Sequence, residues 1–164
     1  MLTQERLKEL LQYDEHTGVF TWIKPTSNRV KAGSLAANCN THGYLYARLD
    51  KKHYGAHRLA WLYMTGKMPE NLIDHIDGNP LNNAFANLRE ATQEQNLHNL
   101  KKSVKNTSGY KGVHFHKSTN KWRAVVTVKN KPKHLGLYAT PEEANNVYTN
   151  WCVQNRGEFA RINP

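Results

Sequence analysis

The spacing of apolar positions changes several times along the chain, and each change marks an element. Leu7, Leu10 and Leu11 recur at helical spacing behind Thr3, a residue suited to an N-cap, which predicts a helix over Gln4–Tyr13. Asp14 to Gly18 is a run of turn formers, and Val19 to Ile23 is β-branched and aromatic, so a turn leads into a strand. Lys24 to His42 is polar and reads as a loop. Gly43 opens a strand over Tyr44–Leu49, Asp50-Lys51-Lys52 turns the chain, and His53–Ala56 returns beside it. His57 to Thr65 is apolar enough for a short helix, which Gly66 stops.

A denser stretch follows, IDHIDGNPLNNAFANLREATQEQNLHN from Ile73 to Asn99. Leu72–His75 and Asn87–Ala91 read as short strands, with a strong turn signal at Asp77-Gly78-Asn79-Pro80 between them. Asn82 and Asn83 read as turn formers in this loop. Thr92 and Gln95 make a capping box that opens a helix through Asn99. Residues 101–108 then read as a basic linker without a clear period. Beyond it, Tyr110–His116 and Lys121–Lys129 are strands, Lys131-Pro132-Lys133 is a turn, and His134–Tyr138 is a third strand. Thr140, Pro141 and Glu143 open a last helix whose apolar face is Ala144, Val147, Tyr148 and Trp151. In the middle strand Trp122, Ala124, Val126 and Val128 alternate toward that helix, while Arg123, Val125, Thr127 and Lys129 line the opposite, open face. The fold class expected is α+β: a strand–loop–strand–helix finger within an N-terminal α+β domain, followed by a three-stranded antiparallel sheet packed on one helix.

Charge sharpens this division. Residues 1–100 hold 11 Lys and Arg against 10 Asp and Glu, whereas residues 101–164 hold 12 against 3. A basic second part suits a polyanion, of which nucleic acid is the usual one. No apolar run reaches the roughly 18 residues of a membrane span, and MLTQERLKELL lacks a signal-peptide core, so an intracellular protein with no membrane association is expected. Cys39 and Cys152 stand far apart with no CxxC spacing, which argues against a zinc or disulfide framework; both are expected buried or half-buried.

The residue types between Ile73 and Asn99 fit phosphodiester hydrolysis. Hard divalent ions take carboxylate and amide oxygens, which Asp74 and Asn96 supply. A neutral histidine can take a proton from water near neutral pH, which makes His75 the candidate base, and Asn87 suits the amide that orients it. His98 and Asn99 are helical neighbours of Asn96 and compete with it as ligands. Adjacent strand residues point to opposite faces, so Asp74 and His75 can share one site only where the strand ends and turns.

Four motifs, AHRLAW, DHIDGNPLNN, NLREAT and QNLHN, together resemble the HNH (His-Me finger, ββα-metal) nucleases, and phage homing endonucleases in particular. YDEHTGVFTW and GYLYARL resemble the N-terminal part of those proteins, so the likeness spans about residues 13–100. It implies a nuclease domain over 1–100, one divalent metal ion (Mg²⁺ or Mn²⁺) on Asp74 and Asn96, His75 as general base, Asn87 as its orienting residue, and products with 3′-hydroxyl and 5′-phosphate ends. Ala84 and Ala86 stand where relatives often carry charged or polar residues. SGYKGV, Lys121-Trp122, LGLY, the helix with EEA, and GEFARIN resemble the Apetala/ethylene-response-factor DNA-binding domain. That likeness implies a DNA-binding domain over 109–164, with its sheet in the major groove and readers at Lys111, His114, His116, Thr127 and His134. Arg123 and Lys129 on the open face, and Lys101, Lys102 and Lys105 in the linker, join them as candidate DNA contacts. The whole reads as a sequence-directed DNA endonuclease acting on double-stranded DNA, as a monomer, without a small-molecule cofactor, in the bacterial cytoplasm if phage-encoded. The alternatives are a restriction or repair nuclease with the same chemistry, and a DNA-binding regulator whose nuclease part is structural.

Overall fold

The computed structural model describes residues 2–39, 43–99, 106–129 and 131–160. The linker lysines Lys101, Lys102 and Lys105 lie outside the described residues. The chain forms two compact units, Met1–Thr92 and Gln93–Pro164.

In the first unit, helix α1 spans Gln4–Leu10, capped by the Thr3 hydroxyl, which accepts the Arg6 N–H at 3.2 Å. It ends earlier than its leucines suggest. Leu11–Asp14 is strand β1, paired antiparallel with β2, Val19–Trp22. The turn between them decides this: Asp14 Oδ1 accepts the His16 and Thr17 N–H groups, and Gly18 closes the turn at φ +74°. Strand alternation then buries Leu11 and Tyr13 on one face. The predicted polar loop contains a two-residue strand, β3 (Asn38–Cys39), which pairs with β4, Leu45–Leu49. Cys39 is exposed on this short edge, contrary to the expectation of burial; Cys152 is buried as expected. Asp50 and Lys51, both at positive φ, turn β4 into β5, Lys52–Gly55, as a tight hairpin requires. Helix α2, Ala56–Thr65, follows at once and stops at Gly66, whose left-handed N–H bonds the Leu62 carbonyl. Leu7, Leu10, Leu11, Phe20, Leu49, Leu59 and Leu62 form the centre of the core. Strands β6 (Leu72–His75) and β7 (Leu88–Ala91) pair antiparallel at its edge.

The second unit contains helix α3 (Gln93–Asn99), strands β8 (Val113–His116), β9 (Lys121–Val128) and β10 (Lys131–Tyr138), and helix α4 (Pro141–Arg156). The sheet order is β10-β9-β8, all antiparallel. Lys131-Pro132-Lys133 belongs to β10 and pairs with Val128, Thr127 and Val126, so it is strand and not the turn expected. Pro132 is tolerated because β10 is an edge strand. The capping box at Thr140 and Glu143 is formed in both directions. Ala124 and Val126 of β9 pack with Val113, Ala144, Tyr148 and Cys152 as a second core. Asn106 and Ser108, at the end of the expected linker, are tied into this unit through the Tyr110 and Val113 carbonyls. Among the described residues no helix is long and apolar enough to cross a membrane.

Candidate active site

The β6–β7 register sets the first contact of the site. Asp74 faces Arg89 across the ladder, and Arg89 donates to Asp74 Oδ2 through Nε (3.0 Å) and Nη2 (2.9 Å). Asp74 is 5% exposed, so its carboxylate sits in a place where an unpaired charge would be costly. His75, the last residue of β6, is 6% exposed. The chain turns directly after it: the Gly78 N–H bonds the His75 carbonyl at 2.8 Å, and the Ile76 N–H bonds the Asn87 carbonyl at 2.9 Å. The strand thus ends where two neighbouring chemical residues need it to end.

The loop that returns to β7 is braced around Asp77. Its Oδ1 accepts the Asn79 N–H (2.7 Å) and the Asn87 amide (3.0 Å), and its Oδ2 accepts the Asn82 amide (2.8 Å). Burial alone would raise the Asp77 carboxyl, but these hydrogen bonds, with the nearby His75, hold it below the ordinary carboxylate range. Asn87 closes the brace in both directions, accepting the Asp77 N–H at 3.0 Å and donating to the Asn82 carbonyl at 2.8 Å.

The amide oxygen beside His75 is that of Asn83, with Oδ1 3.2 Å from Nε2. Asn83 Nδ2 donates to the Leu81 carbonyl at 3.2 Å, which turns Oδ1 toward the ring. An amide oxygen only accepts, so this contact places the imidazole proton on Nε2 and leaves Nδ1 as the basic nitrogen. Asn83 is 1% exposed, and so is far more than the turn former its sequence context suggests. Its backbone is gripped from a distance: the Tyr13 hydroxyl donates to the Asn83 carbonyl at 2.7 Å, and the Phe85 N–H bonds the Glu15 carbonyl at 2.9 Å. A β carbon on Gly18 would lie 2.2 Å from the Asn83 carbonyl carbon, so the turn fits the loop only as glycine. Phe85 also packs on Trp61 of α2 at 5.6 Å between ring centroids.

Of the residues expected from the sequence, Asp74, His75 and Asn87 lie on this one strand pair and its loop. Asn96 is half-buried on α3, in the second unit. Neighbouring Asn99 is 5% exposed. Burial, with Arg156 and Lys111 nearby, lowers the His98 pKa despite Glu94. Sequence reasoning missed Asn83, Arg89 and Asp77. For Arg89 the signal was present, because antiparallel pairing of two four-residue strands around the turn sets it opposite Asp74.

The sequence profile of the HNH endonucleases matches residues 54–98, from β5 to the end of α3. Protein 3.8 of Escherichia phage T7 is 45% identical over 107 residues, a match covering 65% of this chain and 88% of that protein. The chain belongs to the HNH endonuclease family. An uncharacterized HNH endonuclease of Acanthamoeba polyphaga mimivirus is 38% identical over 110 residues, covering 65% of this chain and 56% of that protein. Among solved structures, the HNH homing endonuclease I-HmuI, described for DNA binding and cleavage, aligns with 94% of this chain and 87% of its own at 21% identity and a TM-score of 0.43. The HNH match begins at the hairpin entering α2 and includes every residue of the Asp77 brace. The chain is therefore an HNH endonuclease, with an α+β fold.

The candidate DNA contacts of the second unit take different places. His114 and Leu137 flank Arg123 across the sheet, and His134 pairs with Val125, all opposite the face that α4 covers. His114, Thr127 and His134 are exposed, and Arg123 is half-buried. His116 Nδ1 bonds the Thr119 hydroxyl at 2.8 Å in the β8–β9 turn. Lys111 donates from Nζ to the His98 carbonyl at 2.7 Å, and the Lys129 N–H bonds Glu94 Oε1 at 3.0 Å. Both thus brace α3 within its own unit. A cavity of about 330 Å³ lies there, lined by Glu94, Leu97, His98, Lys111, His114 and Thr127 among others. In the first unit a cavity of about 1180 Å³ is lined by Lys24, Arg29, Lys31, Arg48 and Lys51, a local cationic surface that the unit's near-neutral total conceals.

Proposed function

We propose that the chain is a metal-dependent, sequence-directed endonuclease of the homing kind that hydrolyses double-stranded DNA to 3′-hydroxyl and 5′-phosphate ends. The observation that carries the reading is the buried pair Asp74–His75 at the end of β6, with His75 Nε2 against the Asn83 amide oxygen. His75 takes the proton of the attacking water through Nδ1. Asp74 would give a carboxylate oxygen to one divalent ion, Mg²⁺ or Mn²⁺, with Asn96 the amide donor expected from the sequence, and the ion would supply stabilisation of charge on the phosphate and the leaving oxygen. Arg89 holds one carboxylate oxygen of Asp74 and so fixes its orientation. Asn87 acts on the base through the loop it closes around Asp77, which keeps the Asn83 amide in reach of His75. The likeness of residues 13–100 to phage homing endonucleases supports the homing role.

Residues 109–164 act as the DNA-binding domain of the Apetala/ethylene-response-factor type, reached from the nuclease domain of residues 1–100 through the basic linker of 101–108. His114, Arg123, Thr127 and His134 on the open sheet face meet the duplex, with His116, Lys111 and Lys129 at its margins and Lys101, Lys102 and Lys105 along phosphates. The protein works as a monomer, so one active site gives a nick, and it needs no small-molecule cofactor. The test is incubation of plasmid and phage DNA with Mg²⁺, with and without chelator, followed by strand-resolved mapping of ends. Nicks at one site that vanish with chelator and carry 5′-phosphates are expected. Cleavage that persists in chelator, or in the His75→Ala chain, would remove the assigned mechanism.

A further inference from the structure

His57 stands in the first turn of α2 and is absorbed by neither the core nor the chemistry assigned so far. Its ring centroid lies 5.4 Å from that of His75 at an interplanar angle of 69°, an edge-to-face contact. Tyr44 completes the group, 5.8 Å from His57 and 6.2 Å from His75. The His57 ring also lies close to Gly55, where a β carbon would come within 2.7 Å of Cε1. Gly55 has φ −65°, so the backbone there does not call for glycine; the ring does. His57 Nδ1 is buried with no hydrogen-bond partner among the described residues, so no bond at that nitrogen orients the ring.

We propose that His57 is a positioning residue for His75, its ring wedged between Gly55 and the His75 imidazole so that the basic nitrogen keeps one direction. The inference rests on His75 being the base. Asn83 Oδ1 meets Nε2 of that ring, and the His57 and Tyr44 rings pack against it and limit its rotation. Burial first, then His75 and Arg58, lower the His57 pKa to about 4, so the wedge stays neutral at working pH and sets no cation beside the base.

The experiment compares His57→Ala, His57→Phe and Gly55→Ala in the full chain. Single-turnover cleavage, DNA affinity measured in chelator, and ¹⁵N-histidine spectra of the metal-free protein are the three readouts. His57→Ala and Gly55→Ala should slow cleavage by roughly 10- to 100-fold, the range for a misplaced reacting group, with affinity unchanged. His57→Phe should restore most of the rate, because a flat ring is what the wedge requires. The His75 signals should show one neutral tautomer, protonated at Nε2, in the parent and the Phe variant, and averaged tautomers in the Ala variant. An Ala variant at parental rate, or a Phe variant as slow as Ala, overturns the proposal. If His75→Ala itself cleaves normally, the reading of the base fails instead, and the two failures are told apart.

Discussion

In the first unit the polar side chains of the strand pair lie inside: Asp74, His75 and Asn83 are 5%, 6% and 1% exposed, and each has a polar partner. In the second unit His114, Thr127 and His134 stand exposed on the sheet face opposite α4. The physical demands differ accordingly. A buried carboxylate or amide must be satisfied by the protein, so the nuclease unit's chemistry is also part of its stability. An exposed face is satisfied by water and can be rewritten at little structural cost. One unit therefore tolerates few changes near its strand pair, while the open face of the other can change at little cost.

Several substitutions probe this contrast. The largest effect is expected for His75→Ala, which should lower single-turnover cleavage by roughly 10²- to 10⁴-fold, the usual contribution of a general base. Its DNA affinity in chelator should match the parent; a parallel loss of binding would mean the buried ring is needed for the unit to fold. Arg89→Ala comes next. It removes the ion pair to the buried Asp74 carboxylate and should cost about 3–5 kcal/mol in urea unfolding, whereas a loss within 1 kcal/mol would show that the pair is dispensable.

A pH effect follows from His57. Its folded pKa of about 4 lies below the ordinary 6.5, so the unfolded chain binds the extra proton first. Stability is full above about pH 6.5, falls as pH drops through that window, and levels off below about 4, for a loss of up to ~3 kcal/mol. Chemical unfolding across this range should show the slope, and His57→Phe should flatten it. Smallest are His114→Ala and His134→Ala, expected within about 0.5 kcal/mol in stability while weakening DNA binding. A melting shift as large as that of Arg89→Ala would erase the contrast between the units.

The second unit was the more legible in sequence. Its strands alternate over eight residues, its helix carries a full capping box, and both signals are local. In the first unit Asp74, His75 and their turn were readable because the turn signal lies next to them. Strand β1 was not, because Leu10 and Leu11 continue a helical spacing, and only Leu11 and Tyr13 supply the competing alternation. Asn83 was not either. Two asparagines side by side after a proline look like turn formers, and what buries the second is Tyr13, seventy positions earlier. Nothing local marks His57, whose place depends on three rings brought together from β6, α2 and the residue before β4.

The contact between Gly18 and the Asn83 backbone bears on how the nuclease comes into being. The segment matched by the family profile starts at residue 54, yet the loop that holds its histidine is moulded by the β1–β2 turn. Contacts so distant in sequence close late, after local hairpins and helices have formed. A fragment cut at the profile's edge would contain Asp74, His75 and Asn87 but not the surface against which their loop sets. Competence to cut is then expected to depend on the N-terminal turn, and a truncation of some twenty residues should abolish cleavage while leaving Asp74, His75 and Asn87 in the chain.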